Sequence, residues 1–176
     1  MNTKQYQDAT LRTCVERQQK FLDAPTYSYL TKCLKDSMKC GESLDALKKK
    51  IFYRKENGLP IGATDIDAVP ITLTEDQFDT LHAVMGIVTE GAELISAMLK
   101  YLETGVLDKP NFSEELGDVC WYQGMWCGRN GIELENVMDT NIAKLKARYP
   151  DKFTDELAEN RNIATEREIL ENMKGL

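Results

Sequence analysis

The chain has 176 residues, with 22 Lys+Arg against 29 Asp+Glu for a formal net charge of −7, and 42% of it is hydrophobic. That suits one domain, or one domain with an appendage, and excludes a mainly disordered chain. The acidic balance argues against a nucleic-acid partner, which needs a basic face, and permits a protein that collects divalent cations.

No run of about 18 apolar residues is present, so no membrane span is expected. The opening MNTKQYQDATLRT lacks the apolar stretch of a secretory signal. Five cysteines, Cys14, Cys33, Cys40, Cys120 and Cys127, include no C-x-x-C pair. They read as ordinary reduced thiols, buried or half-buried, in a cytoplasmic chain. His82 is the one histidine and cannot complete the usual zinc patterns.

The pattern predicts helices almost throughout. Helix formers fill 3–22 and 26–40, with Pro25 and Gly41 as punctuation. Residues 42–56 make a third helical piece, ended by Asn57-Gly58-Leu59-Pro60. Pro60, Gly62 and Pro70 mark 57–73 as a linker, with a weak short strand at 69–73. Thr74-Glu75-Asp76-Gln77 is a capping-box signature for a long helix to about Glu103, closed by Gly105. A loop over 104–112 holds Pro110, and Asn111 or Ser113 caps a helix at 113–128. Asn130-Gly131 is a turn, and the helix at 132–148 stops at Pro150. Tail helices follow at 154–160 and 164–173. The expected fold class is all-α: a bundle of four central helices over 74–176, preceded by a helical N-terminal region and linker over 1–73.

The long helix at 74–103 winds at about 100° per residue. Leu81, Val84, Met85, Val88, Ile95, Met98, Leu99 and Leu102 then share one arc, and His82, Gly86, Glu90, Glu93, Ala97 and Lys100 lie roughly opposite. From this helix alone, Glu90 and Glu93 read as a solvated polar face. The small Gly86 and Ala97 on that stripe would let something approach closely. On 113–128, Glu115 and Asp118 share an arc with Tyr122, Met125 and Trp126, with Trp121 at its edge. Carboxylates beside large aromatics are expected to be desolvated, Asp118 above all, and to need a cation or hydrogen bonds. On 132–148, Asn141, Lys144 and Arg148 fall within or beside the apolar arc. They pair internally with Glu115 or Asp118, or snorkel to the surface, or both sets face a polyanion carrying a hard divalent metal. A di-iron bundle needs Glu-x-x-His on two helices, which neither carboxylate pair offers. That favours Mg²⁺ or Mn²⁺ over iron. No glycine-rich phosphate loop is present.

These motifs carry a resemblance. HAVMGIVTEGAEL (82–94), SEELGDVCWY (113–122), NIAKLKARYP (141–150) and the following DKF resemble the MazG-like all-α nucleoside triphosphate pyrophosphohydrolases. The family's Glu-x-x-Glu and Glu-x-x-Asp land on Glu90, Glu93, Glu115 and Asp118, and its Asn-x-x-Lys lands on Asn141 and Lys144. The similarity runs from His82 to about Asn162, while residues 1–73 do not map onto the family core. It implies Mg²⁺, with Mn²⁺ able to substitute, held by the four carboxylates over a catalytic bundle at 74–176. It also implies cleavage of a nucleoside triphosphate to the monophosphate and pyrophosphate, in a homodimer or homotetramer. Glu90 or Glu93 would take the proton of the attacking water, and Lys144 and Asn141 would bind phosphate. Lys100 and Arg148 are further substrate-binding candidates, and Trp121 and Tyr122 candidate pocket wall. His82 stands roughly 16 Å from Glu93 along the helix and reads as packing. Tyr6, Tyr27, Tyr29 and Tyr53 likewise read as packing before base stacking. The local style looks most like the small phage-encoded branch, which would place the protein in a host cytoplasm. Within it the analogy leans to dGTP or GTP, against a broad or dCTP-directed house-cleaning enzyme, a stepwise diphosphohydrolase, or a non-enzymatic metal-binding helical protein.

Overall fold

The computed structural model describes residues 1–15, 22–53 and 72–175. Among these the secondary structure is helical with no strand: α1 Thr3–Thr13, α2 Ala24–Tyr53, α3 Glu75–Thr104, α4 Lys109–Arg129, α5 Leu134–Arg148, α6 Asp155–Glu159 and α7 Ile163–Glu171. The all-α expectation holds at that level. The end of the first expected helix (16–21), the end of the third (54–56), the linker up to 71 and most of the weak strand at 69–73 lie outside the described residues. The chain forms two compact units, Phe21–Trp126 and Met1–Lys20 with Cys127–Leu176.

In Phe21–Trp126, α2 packs along α3. The expected break at Gly41 does not occur, and α2 runs through it. A Cβ at Gly41 would stand 2.1 Å from the Ala92 Cβ. The glycine therefore serves a close helix–helix approach and is not a stop signal. α3 begins and ends where local chemistry says it must. Thr74 Oγ1 accepts from the Gln77 N–H at 3.2 Å, and the Gln77 side chain accepts from the Thr74 N–H at 3.0 Å. At the other end Gly105 takes φ +72°, and its N–H reaches the Tyr101 carbonyl at 2.8 Å. α4 starts earlier than its sequence suggests. Asp108 Oδ1 accepts from the Asn111 N–H at 3.2 Å, so Pro110 falls in the first turn, where its missing N–H has no intrahelical partner to lose. α4 meets α3 through side chains: Trp126 Nε1 donates to Thr80 Oγ1 at 3.1 Å, and Tyr122 lies against Gly86. By length and composition α3 would suffice to cross a bilayer. Its middle nevertheless carries Thr89 and Glu90 bonded to a lysine of α2, which marks the inside of a helix pair.

In the other unit, α5 packs against α1 and α7 over a core that includes Ile132, Ile142 and Tyr149. The Arg12 guanidinium donates to the carbonyls of Tyr149, Pro150 and Asp151 at 2.9, 3.1 and 2.9 Å and so closes the C-terminal end of α5. Glu166 of α7, 4% exposed, accepts from both Arg148 and Arg161. Those two guanidinium groups hold its carboxyl down at about 2. The cysteines depart from expectation: only Cys127 is buried, and the other four are exposed.

Candidate metal centre

The stripe of α3 that reads as a solvated face is turned inward at Gly86 and Glu90, while Glu93 and Lys100 are exposed as expected. Gly86, Thr89 and Glu90 are buried, with Glu90 at 8% exposure, while Val84 and Val88 of the apolar arc are 53% and 43% exposed. The reason lies on the neighbouring helices. Small Gly86 admits the Tyr122 ring of α4, small Ala92 admits α2 at Gly41, and α2 brings Lys48 to the polar atoms between them.

Oxygens of Glu90, Glu115 and Asp118 lie within 4.8 Å of one another, joining α3 to the first turns of α4. Glu115 is 6% exposed. Asp118 is exposed, contrary to the expected desolvation, because Trp121 beside it is itself 58% exposed and gives no cover. Glu93 stands outside this group of three. It lines a cleft of about 210 Å³ with Ser96, Lys100, Asn111 and Glu115. Lys100, a sequence candidate, is thus on the wall of the same cleft as two of the four motif carboxylates. Asn111 Nδ2 donates to Glu115 Oε1 at 3.4 Å.

The electrostatics follow from the crowding. Burial first, then the charges of Glu93, Glu90, Glu114 and Asp118, pushes the Glu115 carboxyl up to about 7. Burial and Glu90 likewise raise Glu93. These donors fit a hard divalent cation: three carboxylates, no nitrogen or sulfur among them, with oxygens within 4.8 Å of one another. A buried carboxyl driven up by like charge is also what a nearby cation relieves.

The structure adds residues that the motifs do not name. Lys48 is 5% exposed, and its Nζ donates to Thr89 Oγ1 at 2.6 Å and to Glu90 Oε1 at 3.1 Å. Burial pulls the Lys48 ammonium down, but the hydrogen bond and charge of Glu90 outweigh it and lift it to about 12. In sequence Lys48 is one of three consecutive lysines, and nothing in the run distinguishes it. Its helical phase does: it follows Gly41 by seven residues, two turns along the same face.

The remaining candidates are placed as follows. Tyr122 is buried against Gly86, with Lys48 5.4 Å from its ring centroid. His82 stacks on Phe52 with ring centroids 4.1 Å apart and edges toward Trp121 and Tyr122, which is packing. Tyr53 OH lies 3.3 Å from His82 Nε2. Asn141, Lys144 and Arg148 belong to the other unit. There Asn141 Nδ2 donates to Tyr6 OH at 3.2 Å, Lys144 is half-buried, and Arg148 gives Nε and Nη2 to Glu166.

The chain's similarities point to a hydrolase acting on phosphoric anhydrides. Residues 78–153, a little under half of the chain, match the family described as the MazG nucleotide pyrophosphohydrolase domain. No curated protein and no solved structure matches the chain.

Proposed function

We propose that the protein is a Mg²⁺-dependent nucleoside triphosphate pyrophosphohydrolase that releases pyrophosphate and leaves the monophosphate, with dGTP or GTP preferred. The observation that carries the reading is the convergence of Glu90, Glu115 and Asp118 inside the segment matched to the hydrolase domain. Glu90, Glu115 and Asp118 would hold the ion, with Glu93 on the wall of the adjoining cleft. A bound Mg²⁺ or Mn²⁺ offsets phosphate charge and acidifies water. Glu93, on the cleft wall beside the three carboxylates, would accept the proton of the attacking water. Lys100 meets phosphate oxygens on the cleft wall. The phosphate roles of Asn141 and Lys144 rest on their motif, and the guanine preference rests on the phage-type likeness. Val84, Val88, Met98 and Leu102, exposed along α3, support a second copy covering that row in a dimer or tetramer.

Turnover of the eight common nucleotides with Mg²⁺, with products separated by anion exchange, tests the proposal. Glu115→Gln and Asp118→Asn are each expected to lose at least about 10³-fold in kcat with the helical spectrum unchanged. Full activity in both variants removes the metal-centre assignment, and no turnover of any nucleotide by the wild type favours a non-enzymatic metal-binding interaction protein. Even turnover of many nucleotides replaces the guanine preference with house-cleaning, and sequential orthophosphate release replaces the cleavage position.

A further inference from the structure

Lys48 stands on α2, outside the 78–153 segment that matches the hydrolase family. A lysine ammonium at 5% exposure needs a reason, because leaving water costs several kcal/mol unless the charge is paired and bonded. Here the pairing is specific. Nζ donates to Thr89 Oγ1 at 2.6 Å, stands 5.4 Å from the Tyr122 ring centroid, and has Asp45 of its own helix 3.4 Å away. Those contacts come from α2, α3 and α4 and locate the ammonium without help from Glu90. Glu90 Oε1, at 3.1 Å, is then the group that is held, and Lys48 the group that holds it. A carboxylate oxygen of Glu90 also lies within 4.8 Å of oxygens of Glu115 and Asp118, so fixing Glu90 fixes one side of that group.

We propose that Lys48 is a positioning residue for the metal centre, orienting Glu90 through its Oε1 and making α2 part of the site. The proposal rests on the metal centre proposed above. Two effects oppose each other in its test. Deleting a fixed positive charge strengthens the pull on a divalent ion. Deleting the hydrogen bond frees Glu90, and loss of such supporting contacts typically costs about 10–100-fold in metal affinity. Orientation wins, because the ammonium is buried and anchored by groups of three helices. Without it Glu90 Oε1 keeps only the Thr89 hydroxyl at 3.3 Å, and that hydroxyl is nearer the Gly86 carbonyl, at 2.9 Å.

The test is Mn²⁺ binding to the full chain, followed by electron paramagnetic resonance at fixed pH with circular dichroism as the folding control. Lys48→Met is expected to weaken Mn²⁺ binding about 10–100-fold and to alter the bound-ion line shape. Thr89→Val keeps the charge but removes an anchor of Lys48 and the longer 3.3 Å contact to Glu90, and is expected to weaken binding in the same direction by less. It decides the matter if Lys48→Met does not fold. Unchanged or tighter binding in folded Lys48→Met, or in Thr89→Val when Lys48→Met does not fold, overturns the proposal and leaves Lys48 a counter-ion. Asp118→Asn separates the two levels. If it loses Mn²⁺ while Lys48→Met keeps it, only the positioning role falls. If wild type binds no Mn²⁺, or Asp118→Asn binds it as wild type does, the metal centre falls and Lys48 with it.

Discussion

Glu115 is 6% exposed, and its carboxyl is pushed from an ordinary 4.5 to about 7 by burial and then by Glu93, Glu90, Glu114 and Asp118. Between those values the folded, metal-free protein keeps a proton that the unfolded chain has already lost. Stability therefore falls as pH rises from about 4.5 to about 7, and the loss is complete above that window. His82, lowered by burial and Lys48, acts in the opposite direction below its ordinary 6.5, so wild type alone does not isolate the effect. Glu115→Gln does. Melted without metal at pH 5 and pH 7.5, the variant is expected to lose less melting temperature across the interval than wild type. An equal loss would remove the assignment of this proton to Glu115. At this scale the sequence is only partly legible. Spacing puts Glu90 with Glu93 and Glu115 with Asp118, but it does not say which carboxylates are buried. That depends on Gly86, Ala92 and Lys48 meeting residues more than twenty positions away.

Two glycines of α3 make opposite predictions. A Cβ at Gly86 would stand 2.2 Å from the Tyr122 ring, a rigid group that cannot swing aside at no cost. Gly86→Ala is expected to lose about 1–3 kcal/mol in urea unfolding. A Cβ at Gly91 would meet nothing within 4 Å, so Gly91→Ala gains helix propensity, about 0.5–1 kcal/mol. A loss in both would mean that glycine serves this helix in some way other than contact. The same contrast explains which element boundaries the sequence reveals. The capping box at Thr74 and the left-handed Gly105 are local devices, complete within five residues, and both are legible. Gly41 resembles a breaker by composition, but its role is set by Ala92, fifty-one positions on, so the pattern divides α2 where the chain is continuous. Pro110 reads as a loop residue because the side chain that caps α4 is Asp108, two residues before it.

For the whole molecule, residues 1–73 read as an addition to a catalytic bundle, since their motifs match nothing in the family core. In space α1 secures the end of α5 through Arg12, and α2 lies along α3 with Lys48 at Glu90. Periodicity gives each helix a face but does not name the helix that covers it. Among the described residues the row of Val84, Val88, Met98 and Leu102 on α3 is exposed, and the proposed second copy is testable there. Val84→Glu with Val88→Glu is expected to convert the assembly to a monomer by light scattering, with helix content retained. An unchanged mass would place the interface elsewhere. The exposed thiols bear on that measurement. Cys33 and Cys40 sit two turns apart along α2, and Cys14 and Cys120 are also open to solvent. In an oxidising buffer, colliding molecules can be stitched together by these sulfurs irrespective of any apolar seam. A covalent ladder on a non-reducing gel would then imitate genuine assembly, and only the mass that survives a reductant, or a serine-substituted chain, reports how many copies the fold itself brings together.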